Sequence, residues 1–413
     1  MRSLSLRRVT LDGTVDSSPI YLHGVRVKGA THDVFFVTTT YGKTEAIDAA
    51  SGAVLWRFTP PAYAQFSGTT QITNSSPAAS TDRSAIYASA PDGRLRKLRV
   101  SDGAVLWTAT LTRDPTREKL TSSINVSRGL VIMTTGGYLG DAPPYQGHVV
   151  MLSELTGRIV HVWNSLCSER HTLIAPRTCG ASDSAIWSRN GAAVDPQNGT
   201  LVVATGNGPW NGSTNWGDSV LVLAADATRL LRHYTPPNQE QLNSGDVDLG
   251  STSPALLPNG YAVQGGKDGV LRLLQLHTLS GANAQTGGEL QTLPAPGRTE
   301  VFSEPAVWNG KWVFVATGGG TEALLFRNGR LHRAWSNHTD GTSPVVAGPL
   351  LYVAGSGAVH VYISTSGREV ATLPTGSLHW QSPIVADGRV AIAEGNANDH
   401  ATTGAFDIFS LSG

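Results

Sequence analysis

A Ser-Pro pair returns along this chain at Ser18-Pro19, Ser76-Pro77, Ser253-Pro254, Ser343-Pro344 and Ser382-Pro383, with Glu304-Pro305 in the same role. Ser123-Ile124 and Asn190-Gly191 fill two further slots in degenerate form. Each is followed by an apolar segment, a turn, a second apolar run ending in small residues, a loop and a third run. Five units then reverse on a glycine: AIDAASGAVLW, KLRVSDGAVLW, MLSELTGRIVHVW, LLFRNGRLHRAW and VYISTSGREVATL. Proline has no N–H to give a ladder and belongs at the start of a strand, and glycine permits the left-handed turn. Units of ~40–50 residues with four short strands each bury a core only by stacking on their neighbours, the pattern of a β-propeller. The openings predict an all-β chain of eight blades, starting near residues 18, 76, 123, 190, 253, 304, 343 and 382, in a single domain over 1–413.

The ends fit that count. The eighth unit supplies SPIVAD, RVAIAEG and AFDIFSLSG and stops where its outer strand should begin. The N-terminal SLSLRRVTL is a spare strand. Pairing Arg2–Leu11 with Ala405–Leu411 would close the ring and remove an edge open to aggregation. The extra residues near 138–146, 164–186 and 208–217 are predicted to lie in loops. Trp56, Trp107, Trp163 and Trp335, each on an outer strand after the reversal, are read as apolar wedges between blades.

Composition narrows the function. Lys+Arg and Asp+Glu number 31 each, and no basic run exceeds Arg7-Arg8. Nothing here suits nucleic acid or an anionic membrane surface. No apolar run approaches the ~20 residues of a membrane helix, and MRSLSLRRVTLDG shows no apolar leader core. The two cysteines, Cys167 and Cys179, lie twelve apart in one loop. They predict a local disulfide and hence a periplasmic or secreted protein. Without Cys-x-x-Cys-His, the chain has no c-type haem of its own.

The Gly-x-x-x-Trp turns look like the repeat of pyrroloquinoline quinone (PQQ) dehydrogenases, and the whole chain resembles the PQQ-like eight-bladed propeller superfamily. Its outer-membrane assembly lipoprotein uses a similar propeller with no cofactor, so fold alone decides nothing about activity. The stretch from Trp187 to Asp268 resembles the cofactor half of quinoprotein alcohol dehydrogenases. Trp187 matches the tryptophan that closes one face of the quinone, and Arg189 lies in the same loop. Asn207 of ATGN matches a calcium ligand. Asp246 of NSGDVDLG matches the catalytic base and a metal ligand, with Asp248 second. Lys267 of GGKDG matches the basic residue at the quinone oxygens. The resemblance therefore implies PQQ and calcium, a hard cation that takes carboxylate and amide oxygens. Where the family places a calcium-binding Glu this chain has Tyr138, with Asp141 the nearest carboxylate.

A second constellation lies outside that resemblance: His379 and Trp380 before the last unit, and Glu394, Asn396, Asp399 and His400 in its later loop. If these loops open on the same face, they would bind a cation or sugar hydroxyls, or else tie the last blade to the first through a polar net. Two functions from different classes follow. One is a quinoprotein-like oxidoreductase acting on alcohols or sugars with an external electron acceptor. The other is a non-catalytic propeller that holds a polymer, peptide or protein partner at its funnel face.

Overall fold

The computed structural model describes residues 4–187 and 189–411. Eight antiparallel sheets surround a central axis. The first blade comprises Ile20–Val27, Ala30–Thr38, Thr44–Asp48 and Val54–Phe58. Blades two to seven repeat that up-and-down order, with inner strands beginning at Ala78, Asn125, Ala193, Ala255, Ala306 and Thr342. The third carries an additional short strand, Lys119–Leu120, paired with Leu130–Gly136. The eighth comprises Ile384–Ala386, Arg389–Ala393, Gly404–Leu411 and, as its outer strand, Leu4–Leu11. The closing pairs run in unbroken register from Leu4↔Leu411 to Leu11↔Gly404. The predicted partner Arg2 lies outside the described residues, and the pairing extends one residue further, to Gly404.

The strands are strands because they are sandwiched. Ala85–Ala90, Leu201–Ala204 and Val220–Leu223 are buried at every position, since each blade presses on a neighbour on both faces. The apolar clusters accordingly sit between blades: one joins Val34, Phe36 and Trp56 of the first blade to Ile86 and Leu98 of the second.

The repeated Gly and Trp act on each other. A Cβ at Gly103 would lie 2.7 Å from the Trp56 ring, one at Gly157 2.6 Å from Trp107, and one at Gly367 2.6 Å from Trp335. Each tryptophan thus lies flat against the glycine turn of the next blade, where only a hydrogen leaves room. The indole N–H groups reach backbone carbonyls there: Trp56 to Val100 at 2.8 Å and Trp335 to Ser364 at 2.8 Å. Trp163 faces a turn built on Ala227 instead, also at positive φ (52°).

Around the axis, the serines of the Ser-Pro pairs link neighbours. Ser18 N donates to Ser76 Oγ (2.9 Å), and Ser382 N donates to Ser18 Oγ (3.2 Å). Cys167 and Cys179 are disulfide-bonded, with Cα atoms 5.8 Å apart. Among the described residues no helix is long and apolar enough to cross a membrane.

Candidate functional site

A cavity of about 640 Å³ opens on the axis at one face of the ring. Trp187, Arg189, Asn207, Asp246, Lys267, Asp141 and Trp380 all line it, and so do Asp248 and Tyr138. They come from the loops that follow the second strands of blades three to five and from the connections entering the inner strands.

Trp187 forms part of the wall. A Cβ on Gly136 would approach its ring to 3.1 Å, and one on Gly206 would come within 3.1 Å of its Nε1. Two side-chain-free positions therefore hold the indole between them. Gly206 has a second reason: its Cβ would lie 2.2 Å from Asp248 Oδ1. That oxygen accepts the Asn207 N–H at 2.8 Å, and the other accepts Lys267 Nζ at 2.6 Å. Asp248 is 3 % exposed; Asp246, which meets the same lysine at 3.4 Å, is 64 % exposed. Asp246 follows the helix Gln239–Ser244 and its Gly245 cap with φ 53°, and it occupies the rim. Asp248, the runner-up base in the sequence, is thus the carboxylate inside the cavity. Burial works to lower the Lys267 ammonium, but Asp248 and Asp246 outweigh it and raise it above the usual lysine value.

The wall around Asp248 is acidic. Burial and the Asp248 charge push Asp141 up to about 6, and burial also raises Asp183. Behind them Asp218, fully buried and donated to by Leu249 N at 3.1 Å, is pushed by burial to about 8. Asp141 Oδ1 is buried without a hydrogen-bond partner among the described residues. Carboxyl groups that repel one another and leave an oxygen unmatched suit a hard cation. Asp141, Asp248 and Asn207 are the groups that would hold it. Tyr138 does not contribute: its hydroxyl donates to Pro115 O at 2.8 Å. Two cations of the lining stand over its tryptophans, Lys119 5.4 Å above the Trp187 ring and Arg189 4.7 Å above Trp380.

The second constellation does not assemble at the cavity. Of its members only Trp380 lines it, stacked between His379 (3.8 Å) and Phe302 (5.2 Å). His379 turns to Asp16 (2.7 Å), which also receives Arg189 (3.1 Å) and Ala397 N (3.1 Å). Burial works to raise Asp16, and Arg189 with His379 overrides it, holding the carboxyl low. Glu394 pairs with Arg8 of the closing strand. Asn396 accepts Asn398 N (2.9 Å) and caps the turn Ala397–Asp399. Asp399 lies in that turn, and His400 ends it at φ 55°. These residues are a polar net tying the eighth blade to the first, and the loop they share sends only Asn398 to the cavity.

Asp16, Asn74, Lys119, Thr121, Ser251 and Phe302 also line the cavity and were not singled out in the sequence. A signal for most of them exists. Asp16, Asn74, Thr121, Ser251, Phe302 and Trp380 each stand two residues before a strand-opening pair. The chain enters every blade from the axis, so that position recurs around the funnel.

This geometry can be set beside known proteins. A family described as outer membrane protein assembly factor BamB matches residues 10–172. The chain is an eight-bladed β-propeller. Quinohemoprotein alcohol dehydrogenase ADH IIB of Pseudomonas putida is 25% identical to this propeller over 260 residues, 57% of the chain and 36% of the relative. The propeller therefore spans about a third of the length of that relative. Quinohemoprotein alcohol dehydrogenase from Comamonas testosteroni superposes with a TM-score of 0.71 at 16% identity, covering 99% of this propeller and 76% of that chain. BamB from Moraxella catarrhalis superposes at 0.62 and 14% identity, covering 99% and 98%. Similarity at these identities shows a shared fold.

Proposed function

We propose that the funnel cavity is a quinoprotein-type redox site, in which PQQ and a hard cation such as calcium serve the oxidation of a small alcohol or sugar. The observation that carries this reading is one cavity lined both by carboxyl groups (Asp141, Asp183, Asp248) and by cations (Lys119, Arg189) that lie over the rings of Trp187 and Trp380. A flat, polyanionic aromatic bound beside a cation matches that lining. Pyrroloquinoline quinone, when bound, supplies a two-electron acceptor. The protein's own tasks are then separable. Trp187 presents a flat apolar face, and Arg189, locked by Asp16, offers a fixed positive charge. Lys267 holds Asp248 in place. Asp246, at the open rim, accepts the alcohol proton and hands it to water. The disulfide and the relatives' names favour an oxidising, extracytoplasmic setting.

Titration of the protein with PQQ plus Ca²⁺ should quench tryptophan fluorescence saturably, and Trp187→Phe should remove most of that change. Dye reduction should then depend on added primary alcohol and fall in Asp246→Asn. No quenching at equimolar PQQ with Ca²⁺ would sink the reading. A second reading, a non-catalytic propeller holding a protein partner, draws on the BamB family match and on Tyr138 standing in place of a metal-binding carboxylate. It predicts no quinone binding at all.

A further inference from the structure

Lys119 is the cavity amine that no carboxylate of the described residues holds. It stands on the short strand Lys119–Leu120, opposite Gly136, and its side chain lines the cavity. The residue is 8 % exposed. Yet it forms no hydrogen bond or ion pair with the described residues, in contrast to Lys267 on Asp248 and Arg189 on Asp16. Its sequence neighbour Glu118 does not help. Strand alternation turns that carboxylate to the other side, where His148 Nε2 takes it at 3.0 Å. The Lys119 ammonium lies instead over the face of Trp187, 5.4 Å away.

A buried ammonium without a counter-ion is costly, and the group responds by shedding its proton more easily. Burial and then the Arg189 charge lower the amine to about 8, against the opposing pull of Asp16 and Asp141. At neutral pH the unprotonated share is larger by roughly two orders of magnitude than for an ordinary surface lysine. Desolvated, deprotonated lysine amines beside an apolar wall are the nucleophiles of Schiff-base chemistry.

We infer that Lys119 captures carbonyl compounds, small flat aldehydes above all, as reversible imines on the Trp187 face of the funnel. The Nζ lone pair forms a C–N bond to the carbonyl carbon, and the oxygen takes up a proton. That proton is one of the two amine hydrogens; the second leaves with the oxygen as the C–O bond breaks, so one water departs and C–N becomes C=N. No electron is gained or lost, and water reverses the step. An aldehyde is also the oxidation level that alcohol dehydrogenation in this cavity would deliver. The capture itself needs no quinone, so the two readings fail separately.

The test uses the full chain without added PQQ, benzaldehyde as probe and cyanoborohydride to fix the imine, with peptide mass spectrometry as readout. Lys119 should be benzylated about tenfold faster or more than Lys28, Lys43, Lys97, Lys267 or Lys311 at pH 7.5, following its larger neutral fraction. Its labelling rate should rise through pH 8 and level off above it. Lys119→Arg keeps the charge and removes the nucleophile, and it should lose the fast label while melting within a few degrees of wild type. Labelling at equal rates on all six lysines, or an unlabelled Lys119 in folded protein, would overturn the inference. If Lys119→Arg does not fold, the wild-type ratio and pH profile still decide it.

Discussion

The seam that closes the ring holds a proton, and its removal should be measurable. Asp407 lies on Gly404–Leu411, fully buried, with neither oxygen accepting a hydrogen bond from the described residues. Arg8 lies 3.5 Å away but is engaged by Glu394. Burial, then the neighbouring Glu394, raises Asp407 from 3.8 to about 7, while Glu394 is held low. The unfolded chain gives up this proton near its ordinary value, and the folded chain keeps it until about neutrality. Between those points the folded state binds more protons, so stability falls as pH rises. The loss is complete above pH 7 and, at 1.36 kcal/mol for each pH unit, is on the order of 2–4 kcal/mol once sharing with Glu394 is allowed for. Asp407→Asn keeps the shape and a donor toward Glu394 but cannot ionise. Unfolding entropy of about 2.1 cal/mol/K per residue makes each kcal/mol worth roughly 1 °C in a chain of 413 residues. The variant should therefore gain roughly 2–5 °C over wild type at pH 8.5, roughly 1–2 °C at pH 5, where the unfolded carboxyl is already ionised, and little below pH 4. Differential scanning fluorimetry across that range reads it. Glu304 and Asp218, both pushed by burial to about 8, titrate in both proteins and cancel in the difference. A difference that stays flat, or shrinks as pH rises, would refute the reasoning.

Gly103→Ala should destabilise by about 2–4 kcal/mol, from left-handed strain plus the clash with Trp56, as read by urea unfolding. Gly129→Ala has the same φ sign but no atom within 4 Å, and it should show only the strain. Lys267→Met strands Asp248 and should cost about 3–5 kcal/mol, recovered in large part by the double variant with Asp248→Asn. Replacing Cys167 and Cys179 by Ser should cost about 3 kcal/mol by the same denaturation assay and leave the far-UV spectrum unchanged.

Blades were legible in the sequence because their signals are local. Proline at a strand start, glycine at a reversal and period-two apolar runs act within a few residues. The closing strand was legible from its surplus. The cavity was legible where a motif carried it, at Trp187, Arg189, Asn207, Asp246 and Lys267, with Asp141 and Trp380 beside them. Asp246 and Asp248 are two apart in sequence, and which of them faces inward depends on the Asp246 left-handed turn after Gly245. His379, Glu394 and His400 read equally as a ligand set or as a net between the last blade and the first, because polar loops look alike until their partners across the seam are known. Lys119 gave no signal, since a lysine beside Glu118 reads as an ordinary surface pair.

Each of the outer-strand tryptophans Trp56, Trp107, Trp163 and Trp335 docks on the blade that follows it. The ring is therefore a directed series of joints, and the joints are unequal. Between blades four and five the place of Trp is taken by Tyr234, whose hydroxyl receives Arg272 Nε at 3.2 Å. Between five and six, Gln291 makes the link through the backbone of Leu331. Tyr234 is nonetheless buried in an apolar cluster with Val222, Ala262 and Leu274, so this joint exchanges an indole on glycine for a phenol that adds a hydrogen bond. Asn207 belongs to the fourth blade, and Asp248 and Lys267 lie on the approach to and within the fifth. The bond from Asn207 N–H to Asp248 crosses the same joint, so a ligand held by both residues would tighten a seam that runs through the cavity itself.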